Sequence, residues 1–171
     1  MTDKTLYVDE WNCPFGMITY VTDEEKLYYI EYEAAQKEKA LYKKWTSKYF
    51  SNITWKQGSP IRNEITKQMN EYFNGERIDF SIPIELYGTD FQRSVWKALL
   101  SIPYGETVSY KQIAAQINSP KAIRAVGGAV NRNPLPIFVP CHRVVGHDGS
   151  LVGYNGGLDK KEFLLKLEKV L

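Results

Sequence analysis

The residues of this 171-residue chain best equipped for chemistry lie in one run, Asn133 to Gly157 (NPLPIFVPCHRVVGHDGSLVGYNGG), in which Cys141 stands beside His142. Pro134, Pro136 and Pro140 restrict the backbone that leads to them, so the thiol is presented in one place. A thiolate is the nucleophilic form of cysteine, a neighbouring imidazole can take its proton, and a carboxylate can orient that imidazole. Glu168, near the end of the chain, is one candidate for the carboxylate. Taken alone, a Cys-His dipeptide is more ordinarily a small buried apolar residue next to a hydrogen-bonded core histidine. Cys13 has no activating neighbour and reads as buried in an opening hairpin; His147, in a Gly-flanked turn, reads as a surface residue.

The elements around this run divide in two. Thr5 to Asp9, Gly16 to Val21 and Lys26 to Tyr32 are rich in Tyr, Val, Ile and Thr and read as a strand meander, with a polar turn at Thr22 to Glu25. Glu33 to Phe50 is Lys- and Ala-rich and carries no clear pattern. Ser59-Pro60 offers an N-cap and a first helical residue, with Ile61, Ile65, Met69 and Tyr72 at helical spacing and Gly75 as the stop. Ile78 to Leu86 alternates apolar and polar positions and reads as a further strand, Pro83 marking an edge or bulge. Beyond Tyr87-Gly88 short helices follow, each with a capping signal: Thr89 with Gln92, Ser109 with Gln112, and Asp159 with Glu162. Ser109 to Asn118 and Lys121 to Asn131, separated by Ser119-Pro120, with Ser119 as cap and Pro120 as first residue of the second helix, have the helix-turn-helix pattern. An α+β chain of two domains, 1–86 and 87–171, is therefore expected.

Composition sets the outer bounds. Hydrophobic residues at 43% and charged residues at 25% fit a compact globular protein and exclude disorder, collagen-like repeats and coiled coil. No apolar stretch approaches the ~20 residues of a membrane span, and the start MTDKTLYVDEWN lacks an apolar signal core, so no membrane association and a cytoplasmic location are expected. Two cysteines make no disulfide framework, and two Cys with two His give a poor zinc set, so no metal is expected. The formal charge of +2 hides a split: residues 1–85 hold 11 basic and 14 acidic residues, net −3, and residues 86–171 hold 11 basic and 6 acidic, net +5. The second half has the footprint of a polyanion-binding surface, although a solvated face with spare lysines gives the same count.

The full string decides what the dipeptide leaves open. PCHRVVG, preceded by RAVGGAVNRNPLPIFV and followed by GYNGGLDKKEFLLKLE, closely resembles the O6-alkylguanine-DNA alkyltransferases, which are methylated-DNA to protein-cysteine methyltransferases. The match covers residues 87–171; the first half resembles the family only in its strand-rich pattern. The resemblance implies a ribonuclease-H-like sheet-and-helix domain followed by a winged-helix-like domain with a helix-turn-helix. It implies Cys141 as alkyl acceptor, His142 as general base acting through a water, Glu168 as its orienting carboxylate, Asn133 as brace of the turn before the active segment, and Tyr110 as the phenol at the guanine edge.

It further implies a base pocket formed by the carbonyls of Cys141 and Val144 opposite Leu151, Val152, Gly153, Tyr154 and Asn155. Asn155 departs from the small residue common at its position. Arg124 takes the place of the arginine that fills the gap left by the extruded base. Ala122, Ala125, Gly127, Gly128 and Ala129 allow close approach to a minor groove, with Lys121 and Arg132 as phosphate contacts. The implied partner is double-stranded alkylated DNA, the implied activity a single stoichiometric methyl transfer from O6-methylguanine, and less efficiently O4-methylthymine, without a cofactor and by a monomer. Two other classes fit parts of the pattern: a helix-turn-helix DNA-binding protein with an inert cysteine, and a Cys-His-Glu hydrolase that turns over without DNA.

Overall fold

The computed structural model describes residues 2–32 and 41–171, and the chain divides into two units, Met1–Tyr87 and Gly88–Leu171. The unpatterned stretch after Tyr32 falls partly outside the described residues. In the first unit β1 (Thr2–Cys13), β2 (Gly16–Thr22) and β3 (Leu27–Tyr32) form an antiparallel meander, and β4 (Phe50–Lys56) adds to β1 in parallel, giving the order β3-β2-β1-β4. A parallel neighbour needs a crossover, which here includes α1 (Leu41–Thr46). Leu6, Val21, Tyr28 and Phe50 form a core on which Tyr29, Tyr42, Trp45, Tyr49, Trp55 and Tyr87 pack.

Helix α2 (Arg62–Phe73) buries Ile65, Met69 and Tyr72, as their spacing predicts, and Gly75 at φ +75° ends it. It starts later than the sequence suggests. Ser59 is engaged by Asp9 through its N–H (2.9 Å) and by the Thr22 hydroxyl (2.7 Å), so Ser59 and Pro60 make a turn and Ile61 becomes the N-cap without a side-chain bond. The strand expected over Ile78 to Leu86 does not form. One bridge, Ile84 to Leu27, remains, because the Ser81 N–H bonds the Gln68 side chain, Pro83 has no N–H, and Ile78 is exposed.

The second unit contains α3 (Asp90–Leu100), β5 (Val108–Ser109), α4 (Tyr110–Gln116), α5 (Ile123–Asn131), a 3-10 turn at Cys141–Arg143, β6 (Val144–Val145) and α6 (Leu158–Leu167). Thr89 and Ser109 form capping boxes with Gln92 and Gln112, as expected. Asp159 and Glu162 do not: Gly157 is the N-cap of α6, at φ +103°, and Asp159 lies inside the first turn, where its charge favours the helix N-terminus. Ser119 and Pro120 also precede α5 rather than open it. Asn118 reverses the chain at φ +60°, the Ser119 carbonyl accepts from the Ala122 N–H, and Ala122 is the N-cap. The α4-α5 pair keeps its helix-turn-helix form over α3, whose Trp96 indole N–H donates to the Ala129 carbonyl (2.8 Å).

Candidate active site and nucleic-acid interface

The segment from Asn133 to Cys141 is folded back on itself. Asn133 donates through Nδ2 to the Val139 carbonyl (2.8 Å) and accepts the Leu135 N–H on Oδ1 (2.9 Å), and Val139 N–H bonds Leu135 O (2.8 Å). Ile137 sits in the left-handed region at φ +77°, a conformation that costs a branched residue about 1–3 kcal/mol and is held by the turn around it. The chain then enters the 3-10 turn, and Val144–Val145 pairs in parallel with Val108–Ser109, which fixes the turn beside the start of α4.

Cys141 is 6% exposed and His142 and Glu168 are enclosed. A carboxylate only accepts, so the 2.6 Å contact assigns the proton to His142 Nε2, which donates to Glu168 Oε2. Nδ1 is then a lone pair, buried and with no hydrogen bond among the described residues. Burial holds the imidazole below its ordinary value; Glu168 raises it, and the charges of Arg143 and Lys161 oppose that rise. Burial also pushes the Cys141 thiol up to about 11, against the Asn133 amide and the Lys161 charge, which lower it. The site therefore rests as a thiol beside a neutral base, not as the preformed thiolate that a nearby histidine suggests in sequence.

Two charged residues of this site have no counterpart among the sequence expectations. Arg143 donates from Nε (2.8 Å) and Nη2 (3.1 Å) to Glu168 and from Nη1 to the Ile102 carbonyl (2.7 Å). Lys161 is fully buried and donates to the carbonyls of Val144 (2.5 Å) and Val152 (2.8 Å), with Gly153 O at 3.4 Å. Burial pushes its ammonium down to about 8. The only sequence sign of Lys161 is its place with Leu164, Leu165 and Glu168 on the buried face of α6, at spacings of three, four and seven.

Tyr110, at the start of α4, donates its hydroxyl to Val152 O (2.9 Å), and burial raises its pKa, so it stays a proton donor at neutral pH. Gly153 is at φ +60°, and a Cβ there would meet the Tyr110 hydroxyl at 3.3 Å and the Asn131 amide at 3.4 Å. The structure thus gathers Cys141, His142, Glu168, Asn133, Val144, Tyr110 and Gly153 through shared bonds and contacts. Leu151, Tyr154 and Asn155 occupy the same loop, with Asn155 in solvent. Cys13 is buried in its hairpin, donating to Gly16 O (2.9 Å), and His147 is exposed, both as read from the sequence.

A second feature lies on the outer face of α5. An open groove of about 610 Å³ between α5 and the start of α3 is lined by Lys121, Ala122, Arg124, Ala125, Gly128, Ala129 and Arg132 with Thr89, Phe91 and Gln92. Gly127 is not part of it and faces Tyr110. A Cβ at Gly127 would come no closer than 3.9 Å to the Tyr110 ring, and one at Gly128 would lie 3.6 Å from Arg132 Nη1. Neither glycine is required by packing within the chain. Among the described residues no helix is long and apolar enough to cross a membrane, and no three His, Cys, Asp or Glu side chains are grouped to hold a metal ion.

The chain matches known proteins over nearly its whole length. Residues 4–86 match the ribonuclease-like domain, and residues 90–170 the DNA binding domain, of the 6-O-methylguanine DNA methyltransferases. The methylated-DNA–protein-cysteine methyltransferase of Methanosarcina barkeri is 44% identical over 96% of this chain and 98% of its own, and that of Haemophilus influenzae 42% identical over 96% and 87%. A crystal structure of Mycobacterium tuberculosis OGT in complex with DNA superposes with a TM-score of 0.80 at 41% identity, covering 96% of this chain and 92% of that one. The chain belongs to the 6-O-methylguanine DNA methyltransferase family.

Proposed function

We propose that this protein repairs O6-methylguanine, and less efficiently O4-methylthymine, in double-stranded DNA by moving the methyl group once and irreversibly to Cys141. Methyl transfer from DNA to a cysteine of the protein itself is the activity of the family to which the chain belongs. The choice of Cys141 is carried by one observation: the imidazole next to it has Nε2–H committed to Glu168 and Nδ1 open as an acceptor. His142 takes the thiol proton through a bridging water, the sulfur forms a bond to the methyl carbon, and the carbon–O6 bond breaks with its electron pair passing into the base. The proton lost by the thiol balances the one guanine gains. The thioether product has no leaving group for water to displace, so each molecule acts once.

A thiol 6% exposed cannot reach a stacked base, so the nucleotide leaves the duplex at a cost of a few kcal/mol. Arg124 fills the gap, and the small residues of α5 let the helix enter the minor groove while Lys121 and Arg132 hold phosphates. The carbonyls of Cys141 and Val144 read the base opposite the Leu151–Asn155 wall. Val144 O already takes one bond from Lys161 and keeps a second lone pair for the base. Tyr110 exchanges its bond to Val152 O for the guanine edge, where its proton meets the charge that develops. The protein works as a monomer in the cytoplasm and needs no cofactor.

Single-turnover transfer from a duplex and from free O6-methylguanine tests this reading. Arg124→Ala is expected to slow the duplex reaction by at least about tenfold, the equivalent of ~1.4 kcal/mol of lost extrusion energy, and to leave the free-base reaction unchanged. Equal slowing of both contradicts the proposed role of Arg124.

A further inference from the structure

A carboxylate enclosed with only an imidazole for company draws the imidazole into an ion pair, and an imidazolium cannot take a thiol proton. Glu168 is not in that position. Its Oε1 accepts from Arg143 Nε (2.8 Å) and the Gly105 N–H (3.2 Å), and its Oε2 accepts from His142 Nε2 (2.6 Å) and Arg143 Nη2 (3.1 Å). Every lone-pair direction of the carboxylate is used, and the charge that balances it belongs to Arg143. The guanidinium is itself fixed by Ile102 O (2.7 Å) and lies 5.7 Å from the Tyr104 ring centroid. Its fork has no freedom to leave Glu168 without losing these contacts.

We propose that Arg143 is a positioning residue that keeps His142 a free base: by carrying the countercharge of Glu168, it lets the imidazole orient on an ionised carboxylate without becoming protonated. The inference rests on the proposed role of His142 as acceptor of the Cys141 proton. The charged groups acting on His142 are Lys161 from α6, Glu168 at the C-cap of α6 and Arg143 from its own turn, with the Tyr104 phenol behind Arg143. Of the two cations, Arg143 alone touches Glu168; Lys161 is spent on backbone carbonyls. A lysine at position 143 supplies the charge but not the two-pronged geometry, and a methionine supplies neither while filling similar space.

The test uses ring-nitrogen NMR of histidine-labelled full-length protein, with His147→Gln identifying the His142 signals, and single-turnover methyl transfer from an O6-methylguanine duplex across pH. In the unsubstituted protein His142 is expected to be neutral at about pH 7 with its proton on Nε2; an imidazolium there overturns the inference and needs no variant. Arg143→Met is expected to move the His142 titration and the acid limb of the rate profile upward by about one pH unit, a tenfold loss of rate on that limb. Arg143→Lys is expected to leave both in place while lowering the melting temperature. A folded Arg143→Met protein with an unshifted titration assigns Arg143 a purely structural part and refutes the proposal. If Arg143→Met does not fold, a His142 titration in Arg143→Lys displaced as far as one pH unit refutes it instead. A protein that transfers no methyl at any pH refutes the acceptor role of His142 instead, and the titration separates the two results.

Discussion

Lys161 carries a charge into the interior, and its cost and return can be compared. Displacement of its pKa from 10.5 to about 8 corresponds to roughly 3 kcal/mol of unfavourable burial. Its bonds to Val144 O and Val152 O return about 1.5–3 kcal/mol each as charge-assisted bonds. At the lower end of that range, about 3 kcal/mol for the pair, the two cancel, and on that footing Lys161 serves the loop more than the fold. Lys161→Met should shift the melting temperature by no more than about 5 °C, while amide exchange across Gly149 to Gly157 accelerates by about tenfold or more, a loss of ~1.4 kcal/mol of local stability. A large drop in melting temperature without faster loop exchange would reverse that assignment. At this scale Cys141 and His142 were legible because the proline-bound string is local and specific, whereas Glu168 was one candidate carboxylate to which only the family resemblance gave a role. Lys161 and Arg143 were not legible: a lysine in DKKEF reads as solvated, and a guanidinium two residues beyond the cysteine acquires its meaning only when Glu168, 25 positions on, folds against it.

Helix α5 holds two adjacent glycines that its own packing does not need. Each weakens a helix interior by about 1 kcal/mol relative to alanine, and an added methyl at either position meets only ordinary contacts. Gly127→Ala and Gly128→Ala should therefore each raise the stability of the free protein by up to about 1 kcal/mol in denaturant unfolding. Gly128, unlike Gly127, lines the groove on α5, so if α5 lies in a minor groove Gly128→Ala should weaken binding to a short duplex in a fluorescence anisotropy titration; unchanged affinity for Gly128→Ala removes α5 from the interface. The helix-turn-helix was readable because the capping box of α4 and the polar break that follows it are written locally, although the cap expected at Ser119 for α5 does not form. The last strand of the first unit was misread because alternation over Ile78 to Leu86 cannot show that Ser81 and Pro83 have no N–H to give a ladder. Strand β4 was missed because only a parallel partner far back in sequence, β1, makes those residues a strand.

At the scale of the molecule the two units differ in charge and in response to acid. His142, depressed by burial, is neutral when folded and charged when unfolded, so the second unit loses stability as pH falls below about 6.5, where the unfolded chain takes the extra proton. In the first unit burial of Asp23 favours protonation, but the Tyr28 hydroxyl, two backbone N–H groups and Lys4 outweigh it and hold the carboxyl at about 2. That contribution persists until pH falls below about 4, and protonation of Glu31, whose pKa burial raises, adds stability on the way down. Hydrogen exchange at about pH 5 should therefore show protection lost first across Gly88–Leu171; simultaneous loss in both units would contradict this ordering. The basic excess of the second half, net +5, predicts salt-sensitive binding to undamaged DNA. The central claim is that Cys141, and not the equally buried Cys13, receives the methyl group. Peptide mapping by mass spectrometry after reaction with an isotopically labelled O6-methylguanine duplex should find one methyl per chain, on Cys141, and none after Cys141→Ala; label on Cys13, or undiminished transfer by the alanine variant, would contradict it.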